Sequence, residues 1–354
     1  MISLKARRVQ PLIKYDDKDI SADLKPYLKS LSYTDALSGE ADDLQITLED
    51  RKGLWQSDWM PEKGALLDAS LTASAWENLF AVDESFVLGL FEIDEITSQG
   101  YPSEVQIKAV SVPDNNTLRG IEKTRSWEKT ELKVIAQDIA DGAKMKLVYS
   151  AAENPVLDRA EQTEQSDLSF LYALCNEKGL ALKICDNQIV IFDEEEYEQA
   201  DAKITIVKPG TVYTPDENEE MTYITRILSY KFTSKVRDVY AACHVKYSKG
   251  ENKETIEATF TVPDKKGKTL QVNEQVENQA DAEKIAKKKL REKNKDEITG
   301  SFSLPGSFAL AASVVLNVLG FGVFDGKYII TNARHDVGSG YTTSIDIRRC
   351  LNGY

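Results

Sequence analysis

The chain has 354 residues, 42% of them hydrophobic and 29% charged, which is apolar mass enough for the cores of two or three domains and too much for a disordered polymer. Its formal net charge of −14 excludes general nucleic-acid binding, because attraction to phosphate needs a basic surface. Residues 1–10 are basic without a following apolar run, so no secretory leader is expected, and the most apolar stretch, 308–323, is interrupted by Ser313, Asn317, Gly320 and Gly322 and reads as buried strands.

From Tyr33 to Ala109 the dominant signal is alternation: Leu44, Ile46 and Leu48 share one side, as do Phe91 and Ile93, then Val105 and Ile107. Turns punctuate it at 38–40, 63–64 and 99–102. After Pro113 the period changes. Leu132, Ile135, Ala136 and Ile139 recur at helical spacing, with Thr130 as the expected cap and Gly142 as the stop. A second helix is expected over Asp167–Lys178, capped by Ser166 and ended by Gly179. Two strands follow, Leu180–Cys185 and Gln188–Phe192, joined by a tight turn at Asp186-Asn187, which completes a small α+β insert.

Acidic residues crowd from Asp193 to Asp201 and from Asp216 to Glu220, around a strand at Ile204–Val207, and read as solvated linkers. Strands are expected at Tyr223–Phe232 and Ala241–Tyr247, then a lysine-rich helix over Gln279–Lys293 that buries Ala282, Ile285, Ala286 and Leu290. The last stretch, Ile298–Leu351, is β again.

Self-comparison adds a repeat. Gly89-Leu90-Phe91-Glu92-Ile93 resembles Gly326-Lys327-Tyr328-Ile329-Ile330, and the alternating run from Gly100-Tyr101 to Lys108 resembles that from Gly340-Tyr341 to Arg348. The later copy holds three more residues between its glycines, assigned here to the hairpin loop. Upstream, Met60-Pro61 and Leu304-Pro305 each precede an apolar strand. Two related β domains are inferred.

Little in the sequence points to chemistry. Cys175, Cys185, Cys243 and Cys350 show no C-x-x-C spacing, and His244 and His335 are the only histidines, so no metal site is expected and the thiols are expected to be reduced and packed. His244 sits on an alternating strand and His335 in a hairpin loop beside Asp336, without a nucleophile motif. Asp42, Asp43, Glu49 and Asp50 match no calcium loop and read as solvated strand faces. Gly320-Phe321-Gly322 is too short for a dinucleotide fingerprint and reads as a strand kink. The lysines between 284 and 295 share a helix with an apolar stripe and read as its solvated face. No catalytic residue and no cofactor are assigned.

The ordered landmarks Tyr33-Thr34-Asp35, 42–50, Trp55, Trp59 to Gly64, Gly89 to Ile96, Lys123 to Glu128, Glu164 to Leu171, Phe302 to Gly306, Gly320 to Tyr328 and Leu351 to Tyr354 resemble the phage late control protein D family. These are baseplate hub proteins of contractile tails, related to the amino-terminal part of type VI secretion spike proteins. One departure is Ala312, where the family pattern has a glycine.

The fold class expected from this resemblance is α+β, mainly β, with two related β-barrel, tail-tube-like domains at 1–118 and 203–354 and an α+β insert domain at 119–202. The second barrel would carry an inserted β segment at about 250–278 and a helix at 279–294. The resemblance implies a non-enzymatic homotrimer whose six barrels join the sixfold tail tube protein to the threefold central spike protein, among other baseplate subunits. It implies synthesis and assembly in the bacterial cytoplasm, a final place in the virion tail or a tailocin, no membrane anchoring, and DNA only as passing cargo. An acidic lumen would repel that DNA, while acidity serving solubility alone accounts for the same charge count. The candidate interface residues are Trp55, Trp59, Tyr101 and Tyr341, with Trp59 foremost beside the Pro61-Glu62-Lys63-Gly64 turn. The alternative is a peptidoglycan-degrading or glycan-binding tail component using the two helices and hairpin of the insert.

Overall fold

In a β-strand every second side chain points to the same face, and along Asp43–Glu49 the residues removed from water are Leu44, Ile46 and Leu48. The computed structural model describes residues 6–76, 82–112, 118–214, 221–249, 254–276 and 278–354. They form two compact units, one of Met1–Asp193, Ser303–Ala312 and Thr331–Ile345, the other of Glu194–Phe302, Ser313–Ile330 and Asp346–Tyr354. The expectations at Pro113 and at Asp216–Glu220 lie outside the described residues, as does part of the segment at 250–278.

The first unit contains β1 (Arg8–Tyr15), β2 (Lys18–Asp19), α1 (Ser21–Leu24), β3 (Leu28–Ala36), β4 (Asp43–Glu49), β5 (Leu66–Ser74), β6 (Glu84–Gln99) and β7 (Glu104–Val110). Their antiparallel order is β3-β4-β7-β6-β5-β1-β2. The path is open, and no closed barrel occurs among the described residues. β6 is long because it serves two partners: its first half pairs with β5, and beyond Glu92 it pairs with β7. Register shifts at Ala69/Ser70 and at Ile93/Glu95 bend it between the two. Gly89, at φ +110°, supplies backbone there that a side chain would resist. Inside lie Leu31, Leu44, Ile46, Leu48, Leu67, Leu71, Phe91, Ile93, Val105 and Ile107.

The unit continues with β8 (Glu122–Glu131), α2 (Leu132–Gly142), β9 (Lys146–Tyr149), β10 (Val156–Ser166), α3 (Asp167–Glu177), β11 (Ala181–Cys185) and β12 (Gln188–Phe192). β8 and β10 form an antiparallel ribbon, and β12 pairs parallel with β9 and antiparallel with β11. Both helices pack their apolar residues into the same cluster as Leu182, Ile184, Ile189 and Ile191. Ser166 caps α3 as expected, its side chain accepting from Ser169 N–H. Asp186 and Asn187 both take positive φ in the tight turn between β11 and β12. Thr130 is not a cap. It belongs to β8, which runs directly into α2, and the first-turn N–H groups of Leu132 and Lys133 are taken by Pro155 O at 2.9 Å and Asn154 Oδ1 at 3.0 Å.

The second unit holds α4 (Glu194–Gln199), β13 (Ile204–Val207), β14 (Thr222–Ile224), β15 (Ser229–Ser234), β16 (Tyr240–Lys249), β17 (Glu254–Thr261), β18 (Lys268–Val272) and α5 (Gln279–Asn294). It also holds the first part of β19 (Ile298–Pro305), all of β20 (Val315–Leu319), and one end each of β21 (Gly326–Val337) and β22 (Tyr341–Arg349). The other ends of these strands count with the first unit, where Asn332–Val337 pairs with Leu31–Ala36. β16 is flanked by β17 and β18, and α5 covers this small sheet with Ala282, Ala286 and Leu290 against Cys243, Val245 and Ala258.

Four expectations change here. The strand expected across Tyr223–Phe232 is two separate strands, and Pro305 ends β19 instead of opening a strand. The later repeat does not have the longer loop: 338–340 joins β21 to β22 where 100–103 joins β6 to β7, and between the matched glycines β21 runs one residue further than β6 while two loop residues precede Gly340. Gly320-Phe321-Gly322 is the turn into a 3-10 helix at Gly322–Phe324, placing Phe321 in an aromatic cluster with Tyr230, Phe232 and Phe302.

The acidic run from Asp193 is no linker either. Glu194 and Glu198 on α4 meet Arg348, which is 3% exposed, and Glu198 also lies 2.6 Å from Arg291. Leu351 N–H donates to Glu198 as well. Replacing Arg348 with Met should leave Glu198 buried with too little positive charge and cost roughly 3 kcal/mol. Denaturant unfolding of the variant against the parent measures this.

Candidate interaction surface

The carboxylates read as solvated are partly interior. Asp42 and Asp50 are buried, because the turns before and after β4 fold them inward to bind backbone. Asp42 accepts from Ala36 N–H at 3.0 Å, and its own N–H donates to Ser111 Oγ at 3.0 Å. Lys183 of β11 lies 3.3 Å from Asp42, donates to Ala36 O at 2.9 Å, and pairs with Asp35. Asp35 also accepts from Ala312 N–H at 2.7 Å. Burial pushes the Asp42 carboxyl up to about 6 against the opposing pull of Lys183. Burial pushes all four thiols up, Cys175 furthest, to about 12.

His335 is not in a loop but in β21, fully buried. Its Nδ1 lies 2.7 Å from the Tyr341 hydroxyl, and the ring stacks on Tyr33 and Tyr341. Burial lowers it to about 4, so at neutral pH it is an uncharged core group. Tyr341 is therefore interior at 4% exposure, whereas Tyr101, its counterpart in the repeat, is 98% exposed. Tyr101 falls in the loop before β7 and Tyr341 inside β22, which is why identical dipeptides meet opposite environments.

Trp55 and Trp59 are brought together. Their rings lie 5.4 Å apart, each edge-on to Tyr27 at 5.9 and 5.5 Å. Trp55 is the buried wall of this cluster, and its backbone N–H donates to Asp50 Oδ1 at 3.1 Å. Trp59 is 43% exposed and Met60 48%. A cavity of about 500 Å³ opens beside them, with Ile13, Ile20, Leu24 and Ile107 among its apolar walls and Asp23, Asp58 and Glu62 among its lining. Asp23 of α1 and Tyr27 just after it were not singled out in the sequence, because nothing local to them signals that they lie beside the segment that carries Trp55, Asp58, Trp59 and Glu62. The other two tryptophans are half-buried and structural: Trp76 donates to Gly306 O at 2.7 Å, and Trp127 stacks on Phe170.

Among the described residues no group of histidine, cysteine or carboxylate side chains is arranged to hold a metal ion, and no helix is long and apolar enough to cross a membrane. What the first unit offers is a surface: an aromatic rim, a cavity and an exposed tyrosine.

The proteins this chain is similar to belong to phage-type tails and related machines. The chain is 28% identical over 169 residues to a probable baseplate hub protein of Escherichia phage P2, covering 48% of this chain and 41% of that protein. It is 29% identical over 177 residues to the corresponding protein of Escherichia phage 186, covering 49% and 42%. The matched part thus takes in less than half of either relative. No family model matches. Among solved structures, a 43 kDa tail protein of prophage MuSo2 from Shewanella oneidensis superposes with a TM-score of 0.69 at 11% identity, over 97% of this chain and 99% of that one. A tail protein from Neisseria meningitidis gives 0.68 at 11% identity, over 96% of each, and a component of the type VI secretion system of E. coli gives 0.55 at 12%, over 100% and 77%. At such identities the structures share the fold. The resemblance to the late control protein D family drawn from the residues stands, and the likeness is to structural tail components rather than enzymes.

Asp42 and His335 give this unit opposed pH responses. Asp42 binds its proton more tightly folded than unfolded, so its stabilising contribution is lost as pH rises from about 4 to about 6. His335 binds its proton less tightly when folded, and its contribution is lost as pH falls from 6.5 towards about 4. Relative to the parent, Asp42→Asn should therefore gain stability with rising pH across this window, by roughly 1 kcal/mol per unit. Urea melts at several pH values test the sign.

Proposed function

We propose that the chain is a structural baseplate hub protein of a contractile phage-type tail, forming a homotrimeric ring that joins the sixfold tail tube to the threefold central spike. The observation that carries this reading is the full-length fold likeness to two phage-type tail proteins, together with two curated hub relatives. Symmetry supplies the mechanism. A chain bearing two similar β domains presents six equivalent faces from three copies, so one ring can meet a sixfold and a threefold partner without an unmatched surface.

Two features support the duplication. β6–β7 and β21–β22 are both pairs of adjacent strands whose first strand carries a positive-φ glycine, Gly89 within β6 and Gly326 at the start of β21, and both carry buried aliphatics at alternate positions, Val105 and Ile107 in one and Ile345 and Ile347 in the other. On this reading the barrel-like domains are 1–118 and 203–354 and the insert is 119–202. The net charge of −14 would let DNA slide through the ring without adhering. The ring's partners would be the tube protein, the spike protein and neighbouring baseplate subunits, in the virion tail or a tailocin.

Mass photometry of the purified chain, alone and with the spike protein, tests the reading. The expected particle has three times the chain mass, at least when the spike is present; a chain that stays monomeric with the spike and with the tube protein would overturn it. Of the four interface candidates, Trp59 and Tyr101 offer exposed area, while Trp55 and Tyr341 are core. Tyr101→Ala, at the more exposed of the two, should weaken the trimer by about 2 kcal/mol, read as a shift of the monomer–trimer midpoint with concentration.

A further inference from the structure

The cavity beside Trp59 has a composition that says what would fill it. Its walls are apolar and aromatic, and Trp59 and Met60 at its side are each more than two-fifths exposed. The charged residues in its lining are Asp23, Asp58 and Glu62, with no lysine or arginine among them. Among the described residues none of these three carboxylates makes a salt bridge to a basic side chain. An apolar recess of about 500 Å³ is in the size range that takes a bulky side chain, and the apolar area still open to water lies at its rim, on Trp59 and Met60. Carboxylates beside open aromatic faces favour a cation, by charge and by attraction to the ring face.

We propose that this cavity is a docking site for a partner-protein segment in which a bulky apolar side chain is flanked by lysine or arginine. The apolar side chain packs on Trp59 and Met60 at the mouth of the recess, while the basic groups lie over Trp59 and pair with Asp58 and Glu62. This specifies the partner chemistry of the hub reading and rests on it.

The three rings explain why the site would be ready-made. Trp55, Trp59 and Tyr27 support one another edge to face, so the rim loses little side-chain freedom when a segment docks. Trp55 is anchored from behind by Asp50.

The test uses the full chain with two probe peptides, acetyl-Lys-Phe-Arg-amide and acetyl-Glu-Phe-Glu-amide, read by NMR of the tryptophan indoles at low salt. The basic probe should shift the Trp55 and Trp59 signals saturably, with a dissociation constant below about 1 mM, and the acidic probe should not. Trp59→Ala should weaken binding of the basic probe about tenfold, and the double variant Asp58→Asn, Glu62→Gln should remove the preference for the basic probe. All three positions are exposed, and an unchanged circular dichroism spectrum certifies the fold. Equal binding of both probes, shifts confined to Trp76 and Trp127, or no saturable shift would each overturn the proposal. Trp59 signals that move with chain concentration alone would mean that a second copy occupies the cavity, which also overturns it. A ring that assembles with the spike while the basic probe fails to bind would leave the hub reading intact and sink only this one.

Discussion

The constraint on which the first unit depends is that one long strand must serve two neighbours. β6 gives its first half to β5 and its second half to β7, and the bend between them gathers Leu67, Leu71, Phe91, Ile93, Val105 and Ile107 into one interior. A flat sheet would leave half of these residues in water, at a cost of about 1.5–3 kcal/mol for each large side chain. The glycine at the bend and the register shifts on either side are the local price of that interior.

Charge plays two parts in this acidic chain. On the surface it is solvated, as in the exposed pair of Lys14 with Asp68, where it adds little stability. Inside it specifies geometry. Lys183 gathers Asp35 and Asp42 in one unit, and Arg348 gathers Glu194 and Glu198 in the other. Such buried groups are costly to strip of water and costlier still to leave unmatched, so removing one partner of either cluster destabilises more than losing an apolar contact of similar size. The same logic separates the two histidines: His335 is neutral in an aromatic interior, whereas His244 faces Thr259 on an open strand.

The aromatic residues divide along similar lines. Phe232, Phe302, Phe321 and Phe324 close the second unit around Tyr328, and Tyr33, Phe86 and Tyr341 enclose His335 in the first. The group at Trp59 is instead turned outward, beside a recess lined with carboxylates.

Local pattern was enough for the sequence to determine the strands around Leu44–Leu48, the cap at Ser166, the turn at Asp186-Asn187 and the helix that starts at Gln279, since each depends on neighbours within a few positions. The order of landmarks also carried the resemblance to the late control protein D family. Tertiary structure alone decided that Asp42 and Glu198 are interior, that Tyr101 is open while Tyr341 is closed, and that Tyr27 joins Trp55 and Trp59. The reason is physical: burial of a polar group depends on a partner that can lie far away in the chain, such as Lys183 for Asp42 or Arg348 for Glu198, and nothing in the local alternation of residues encodes where that partner will be.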